Sequence, residues 1–183
     1  MKKQLLVYYA SFLIFFLLIS LARKWFEPAF LVFWMGGAIG AILPDVDHFI
    51  YVYFLKPHEL TSQRAMRMVS QGKIIDTFVL LANTRSERKG LIFHTGAFQV
   101  MFYAFAFFVL SSSSNLFGRG VVLAFLLHLL IDQYLDFRDL GSISHWLKNI
   151  NVKLDREVTL DRDKTVFYWA GAGLALIIYG FVL

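Results

Sequence analysis

The chain contains no cysteine. Disulfide cross-links and thiolate metal ligands are therefore excluded, and the redox compartment is left open. Charge is thin as well: 17% of residues are Asp, Glu, Lys or Arg against 58% hydrophobic, where an average soluble domain carries about 25% charged residues. The opening stretch MKKQLLVYYASFLIFFLLISLARKW starts basic, as a signal peptide does, but lacks a small-x-small cleavage site. Its apolar run of about 18 residues also exceeds the ~7–15 of a signal-peptide core. It reads as a retained transmembrane helix. There is no internal repeat, and SSSSN (111–115) is only a tight turn.

What the chain does have is hydrocarbon. Phenylalanine accounts for 20 of 183 residues, and the mean hydropathy is +0.60. Five apolar segments can be drawn: Leu5 to Ala22, Ala29 to Leu43 or on to Leu55, Leu91 to Leu110, Leu116 to Leu135, and Thr165 to Leu183. Each is near the ~20 residues a spanning helix needs. The expected fold class is all-α: a polytopic membrane protein with five transmembrane helices, the whole of 1–183 forming one integral membrane domain. Polar loops at 56–90 and 137–164 join the segments. Within the first loop, KIIDTFVLLAN (73–83) has Ile74, Ile75, Phe78, Val79 and Ala82 at helical spacing, as expected of a helix lying in the membrane interface. Before it, Arg64 and Arg67 stand one turn apart, and Gly72 is placed as a helix stop. A solvated basic face is the plain reading of those arginines; lipid phosphates are the sharper one.

With alternate loops on alternate sides, 15 basic residues fall on the side of the N-terminus and 3 (Arg23, Lys24, Arg119) on the other. The positive-inside bias then puts the N-terminus and both long loops in the cytoplasm and the C-terminus outside. Topology and anionic lipid account for the formal charge of +5, so nucleic acid is not expected as a partner and the bilayer is. The expected location is the cytoplasmic (inner) membrane.

Ionisable groups inside such segments are costly and mark function by default. They are few: Asp45, Asp47, His48, His94, His128, Asp132 and Asp136, with Arg119 at an outer end. At 1.5 Å per residue, Asp45 and Asp132 both lie about 24 Å from the outer ends of their helices and His128 about 18 Å. His94 falls near the first turn of a helix running the other way. All collect just inside the cytoplasmic boundary. Asp45 and His48 are i,i+3, and His128, Asp132 and Asp136 are i,i+4,i+8, so each set shares a helix face. Pro44 interrupts its helix, which lets Asp47 turn inward too. Singly, each residue is as readily a packing or capping group; together they offer the imidazole and carboxylate mix of Zn²⁺, Mn²⁺ or non-haem Fe sites, with Mg²⁺ open if carboxylates dominate. On spacing alone, Asp45 reads as the ligand and Asp47 as its outer neighbour or a general base. His58 and His145, in polar loops, read as ordinary surface residues. The small residues of GAGLALIIYG (171–180) indicate close helix packing.

LPDVDH (43–48), ERKGLIFHTG (87–96) and LLHLLIDQYLD (126–136) together resemble the YdjM-like membrane-bound metal-dependent hydrolases. That family carries an LPD-x-DH motif, an HRG-x-THS-type motif and a G-x-x-x-H-x-x-x-D motif on successive helices. The resemblance spans about residues 36 to 136. It implies Asp45, Asp47, His48, His94, His128 and Asp132 as metal-binding residues. In the middle motif, Glu87 stands where a first histidine is expected and Phe93 replaces the threonine; in the third, Ala124 replaces the glycine.

The function expected from these residues is a metal-dependent hydrolase acting on a phosphoester of a lipid or lipid-linked substrate at the cytoplasmic leaflet. Asp47 or Asp136 would serve as general base and Arg88, with Lys89, would hold the anionic substrate. The competing class is a non-enzymatic membrane metal-binding or ion-transport protein, since His/Asp clusters also mark ion pathways. Against it, no polar group other than Arg119 continues a path toward the outer side.

Overall fold

A computed structural model describes residues 2–84, 87–88, 90–112, 114–140, 146 and 162–182. Among them there is no strand; seven helices follow one another. They are α1 (Lys2–Arg23), α2 (Pro28–Leu55), α3 (Leu60–Ser70), α4 (Ile74–Asn83), α5 (Gly96–Ser112), α6 (Leu116–Leu140) and α7 (Arg162–Val182). Most of the expected 137–164 loop, His145 included, lies outside the described residues.

α6 is the axis of the bundle. Val122, Leu123, Ala124, Phe125, Leu126 and Leu129 are all buried, and a helix apolar all round is one enclosed by others. Phe12, Phe16 and Ile19 of α1, Phe33 of α2, Ala106 and Leu110 of α5 and Ile177 of α7 complete the main core.

The closest contact in the bundle joins α2 to α6, and glycine makes it. A methyl group at Gly36 would overlap the carbonyl oxygen of Phe117, one at Gly40 that of Val121, and one at Gly120 that of Phe33. With no Cβ at those positions the two backbones touch, as in small-residue seams between membrane helices. Gly37 takes the ring of Phe16 from α1 in the same way, and Trp34 Nε1 donates to Ser20 Oγ at 3.0 Å to tie α1 to α2.

α2 is one continuous helix of varying pitch. It is regular over Leu31–Ile42, tightens to a 3-10 turn at Leu43–Asp45, resumes over Val46–Ile50, and widens to a π turn over Tyr51–Leu55. Pro44 has no N–H to give the ladder, which is where the pitch changes. The second apolar segment thus runs on through the polar PDVDH stretch to Leu55.

The third segment differs from expectation. Its helix begins at Gly96, and residues 91–95 form a turn before it. Asp47 is the cause: its two oxygens accept the backbone N–H groups of Ile92 (2.9 Å) and Phe93 (2.6 Å), holding the chain out of the helix. His94 therefore sits on that turn rather than within the helix.

The 56–90 loop contains α3 and α4, packed as a hairpin on the last turns of α2 through Val52, Ala65 and Leu81. The turn between them is a Schellman cap. Gly72 adopts φ +74°, its N–H bonds Val69 O at 2.9 Å, and Lys73 N–H bonds Met68 O at 3.0 Å, a pattern that needs a left-handed residue.

Among the described residues, two helices are long and apolar enough to cross a membrane: α2 in full, and α6 over Leu116–Arg138. Tyr9–Arg23, Gly96–Ser112 and Tyr168–Val182 are shorter apolar stretches. Their outer faces are hydrocarbon: Leu13, Leu17 and Leu21 on α1, Phe105 and Phe108 on α5, and Leu174 and Ile178 on α7 are all exposed.

Candidate metal centre

The α2–α6 seam brings the polar residues of the two helices together, and the Asp47-capped turn adds His94. Three ligand atoms, one each from His94, His128 and Asp132, lie within 4.8 Å of one another, and all three residues are buried. His94 Nε2 is 2.9 Å and His128 Nε2 is 3.3 Å from the same oxygen, Asp132 Oδ2. Asp45 Oδ1 is 3.7 Å from His128 Nε2.

The second nitrogen of each ring fixes what the first can do. His128 Nδ1 lies 2.7 Å from the carbonyl oxygen of Ala41. A carbonyl only accepts, so Nδ1 carries the proton and Nε2 presents a lone pair. This contact crosses the glycine seam and is within reach because the backbone of α2 lies so close. His94 lies between two carboxylates, Nδ1 3.2 Å from Asp47 Oδ2 and Nε2 2.9 Å from Asp132 Oδ2, so either nitrogen has an acceptor for its proton. His128 thus aims an unprotonated Nε2 at Asp132 Oδ2, and His94 does the same when Asp47 takes its proton. His128 Nε2 and Asp132 Oδ2, two acceptors 3.3 Å apart, repel unless a positive charge lies among the group: a cation, or protons taken up by the rings.

The spacings suit a cation. Two ligand atoms about 2.1 Å from one tetrahedral ion stand about 3.4 Å apart, and the distances here run from 2.9 to 3.7 Å. Carboxylate–histidine pairing of the Asp47–His94 kind is the usual outer support of a metal-binding imidazole. The buried His94, His128 and Asp132 group could hold a metal ion. Asp45 has substantial access, its side chain 35% exposed against 6% or less for His94, His128 and Asp132. The site therefore opens on Asp45.

The remaining candidates fall around this centre. Asp47, fully buried, has its oxygens on two backbone N–H groups and His94, as a positioning group would. His48 stacks on His94 with ring centroids 5.4 Å apart, and its Nδ1 accepts from Arg88 Nε at 3.3 Å. Arg88 is buried; its guanidinium also donates to Thr84 Oγ1 at 3.0 Å and to the carbonyl of Leu81, so it braces the end of α4 against His48. Glu87 is exposed and accepts from Thr61 Oγ1 at 2.6 Å. Asp136, one turn beyond Asp132, accepts from Trp146 Nε1 at 2.7 Å, and the Trp146 ring meets His94 edge-on at 5.2 Å.

Sequence reasoning did not find the Ala41 carbonyl or Trp146. The first leaves no side-chain signal; Pro44 three residues on was its only hint. The second sits in a polar stretch that gave no reason to look for an indole beside the site. Comparison with protein-family profiles, curated proteins and solved structures gives no match.

Proposed function

We propose that this chain is a membrane-embedded metal-dependent hydrolase that cleaves a phosphoester of a lipid or lipid-linked substrate at the cytoplasmic face of the cell (inner) membrane. The observation that carries the proposal is the meeting of His94 Nε2, His128 Nε2 and Asp132 Oδ2 at one buried point that opens on Asp45. His94, His128 and Asp132 would hold the ion, with Asp45 at its open side. Two imidazoles favour Zn²⁺ or Mn²⁺ over Mg²⁺. A bound divalent ion supplies a water of lowered pKa and polarises a phosphoryl oxygen. Asp47 orients His94 and holds the 92–94 turn; Arg88 holds His48 beside it. The motif resemblance to the YdjM-like hydrolases belongs to the same proposal.

The membrane part of the reading takes five spans, α1, α2, α5, α6 and α7, with the N-terminus in the cytoplasm. The apolar outer faces of α1, α5 and α7 support it, because soluble monomers rarely expose contiguous hydrocarbon over more than a few hundred Å². The level at which the site sits, near the end of α2 that leads into the hairpin, suits a substrate whose tail stays in lipid.

The test has two stages. Purified protein is analysed for bound metal, then offered phospholipids and polyprenyl phosphates with and without chelator. Metal-dependent release of phosphate or of the alcohol is the expected result. A protein that carries no metal and melts identically in EDTA overturns the site; one that carries metal yet turns over no phosphoester favours the metal-binding or ion-transport class. For topology, cysteine at Ser70 should resist an impermeant reagent in intact cells while cysteine at Ser112 reacts.

A further inference from the structure

The α3–α4 hairpin takes no part in the His/Asp centre, yet it carries a groove of about 830 Å³ lined by Leu60, Arg64, Arg67, Met68, Lys73 and Asp76, among others. Arg64 and Arg67 project from one face of α3, and Lys73 stands at the head of α4. Three cations line the groove against a single carboxylate. None of the three forms an ion pair among the described residues. A volume in the range of ordinary ligand clefts, with two arginines one turn apart, is the geometry that takes an oxyanion by paired N–H donors.

The position of the groove identifies the anion. The hairpin is fixed to the last turns of α2 by the Val52, Ala65 and Leu81 cluster, by Phe49 against Phe78 at 5.4 Å, and by Tyr51 Oη donating to Glu59 at 2.8 Å. In the membrane reading, α2 leaves the bilayer there, so the hairpin lies at headgroup level. It also exposes large apolar side chains, Leu60 at 84%, Ile75 at 79% and Ile74 at 55%, which a hairpin facing only water would not. Cations beside bare hydrocarbon match an anionic amphiphile.

We propose that this groove binds the phosphate of an anionic phospholipid, with Arg64, Arg67 and Lys73 on the headgroup and the exposed apolar side chains of the hairpin in the adjoining acyl layer. The proposal rests on the membrane placement given above and is independent of the metal and of hydrolysis. Each basic residue near an anionic surface contributes about fivefold in binding.

Native mass spectrometry of the detergent-solubilised full chain, titrated with phosphatidylglycerol or phosphatidylcholine, reads the site directly. The wild type is expected to retain phosphatidylglycerol at least tenfold better than phosphatidylcholine. The R64Q/R67Q double variant should bind it roughly 25-fold more weakly, with unchanged melting temperature and metal content, whereas Lys24→Gln should behave as wild type. A single K73Q variant, expected to lose about fivefold, serves if the double variant does not fold. Equal retention of the two lipids by the wild type, or full preference in both R64Q/R67Q and K73Q, overturns the proposal. So does displacement of the lipid by glycerol 3-phosphate or a short RNA at matching concentration, which would make the groove a soluble-anion or nucleic-acid site. Metal content read on the same samples separates this outcome from failure of the metal centre.

Discussion

Asp132 and Gln133 are neighbours on α6, both buried, and they enter two polar clusters of opposite character. At Gln133 donors meet acceptors: its Nε2 donates to Gln99 Oε1 at 2.8 Å, and Trp169 Nε1 of α7 donates to that same oxygen. At Asp132 an acceptor meets an acceptor, because the Ala41 carbonyl holds the proton of His128 on its far side, and His94 has a carboxylate on each nitrogen. Burial is alike in the two places, and so is the apolar setting. Polarity inside a bundle therefore does not by itself mark a site; the direction of the donors does. The glutamine corner clamps α5, α6 and α7 with neutral donors on one acceptor, leaving Gln99 Nε2 and Gln133 Oε1 with no partner among the described residues. The aspartate corner is complete only with a positive charge.

The sharpest way to break this contrast is His128→Ala. It removes one of three converging ligand atoms and the described link from α6 to the Ala41 carbonyl. Bound metal should fall below a tenth of the wild-type stoichiometry. The melting temperature of the metal-loaded protein should drop toward that of the EDTA-treated wild type, since a ligand that binds only the folded state stabilises it. Metal analysis and a thermal melt on the same preparation check both. Unchanged metal content would mean that the acceptors are reconciled by protons.

Asp47→Asn should come next in size. Outer carboxylates behind a metal-binding histidine contribute about 10–100-fold in affinity, and an amide in this place can turn an N–H toward His94 Nδ1 and reverse the ring's tautomer. The variant should still load at saturating metal but with affinity lowered by that factor in a chelator competition. Wild-type affinity would show that Asp47 serves only the 92–94 turn.

The sequence made one side of the contrast legible and hid the other. His128 and Asp132 at i,i+4, Asp45 and His48 at i,i+3, and the level on which they agree with His94 all follow from helix period and rise, so the cluster could be anticipated before any fold was known. The seam that assembles it could not. The small residues of GAGLALIIYG on α7 do pack closely, Gly173 against Tyr103 and Leu130 and Gly180 against Leu123 and Leu110, though Gly171 meets nothing within 4 Å and none of these contacts is backbone to backbone. The backbone contact is made instead by Gly36 and Gly40 of α2 with Gly120 of α6, whose partners are carbonyl oxygens and so carry no residue-type signal. Gln99 and Gln133 escaped notice because neutral amides lack the charge that draws the eye in an apolar run. The start of α5 was misplaced for a related reason: a long-range carboxylate, not local propensity, holds residues 91–95 out of the helix.

Gly40→Ala tests that seam with a smaller expected effect. The added methyl would overlap the Val121 carbonyl, and forcing packed elements apart costs about 1–3 kcal/mol. Because Ala41 is the next residue, the shift should also loosen its carbonyl from His128. Reduced melting temperature with metal affinity lowered severalfold is expected. Gly171→Ala, which meets no neighbour within 4 Å, should leave both unchanged.

The smallest effect is expected at the clamp, and there the two glutamines should differ. Gln133→Leu removes one hydrogen bond, but it also removes Gln133 Oε1, a buried atom with no partner among the described residues. Losing an unmet acceptor offsets losing a donor, and Gln99 Oε1 keeps the Trp169 N–H. Stability should change by less than about 1 kcal/mol, and metal affinity by less than twofold, even though the substitution sits beside Asp132. Although it removes the unpartnered Gln99 Nε2, Gln99→Leu deprives two donors at once, the buried Gln133 Nε2 and the half-buried Trp169 Nε1, of their acceptor. Each such group costs about 1–3 kcal/mol, so its melting temperature should fall clearly below that of Gln133→Leu, again with metal affinity unaltered. If instead Gln133→Leu weakens metal binding as Asp47→Asn does, the two faces of α6 are coupled, and the amide cluster is part of the centre rather than a clamp beside it.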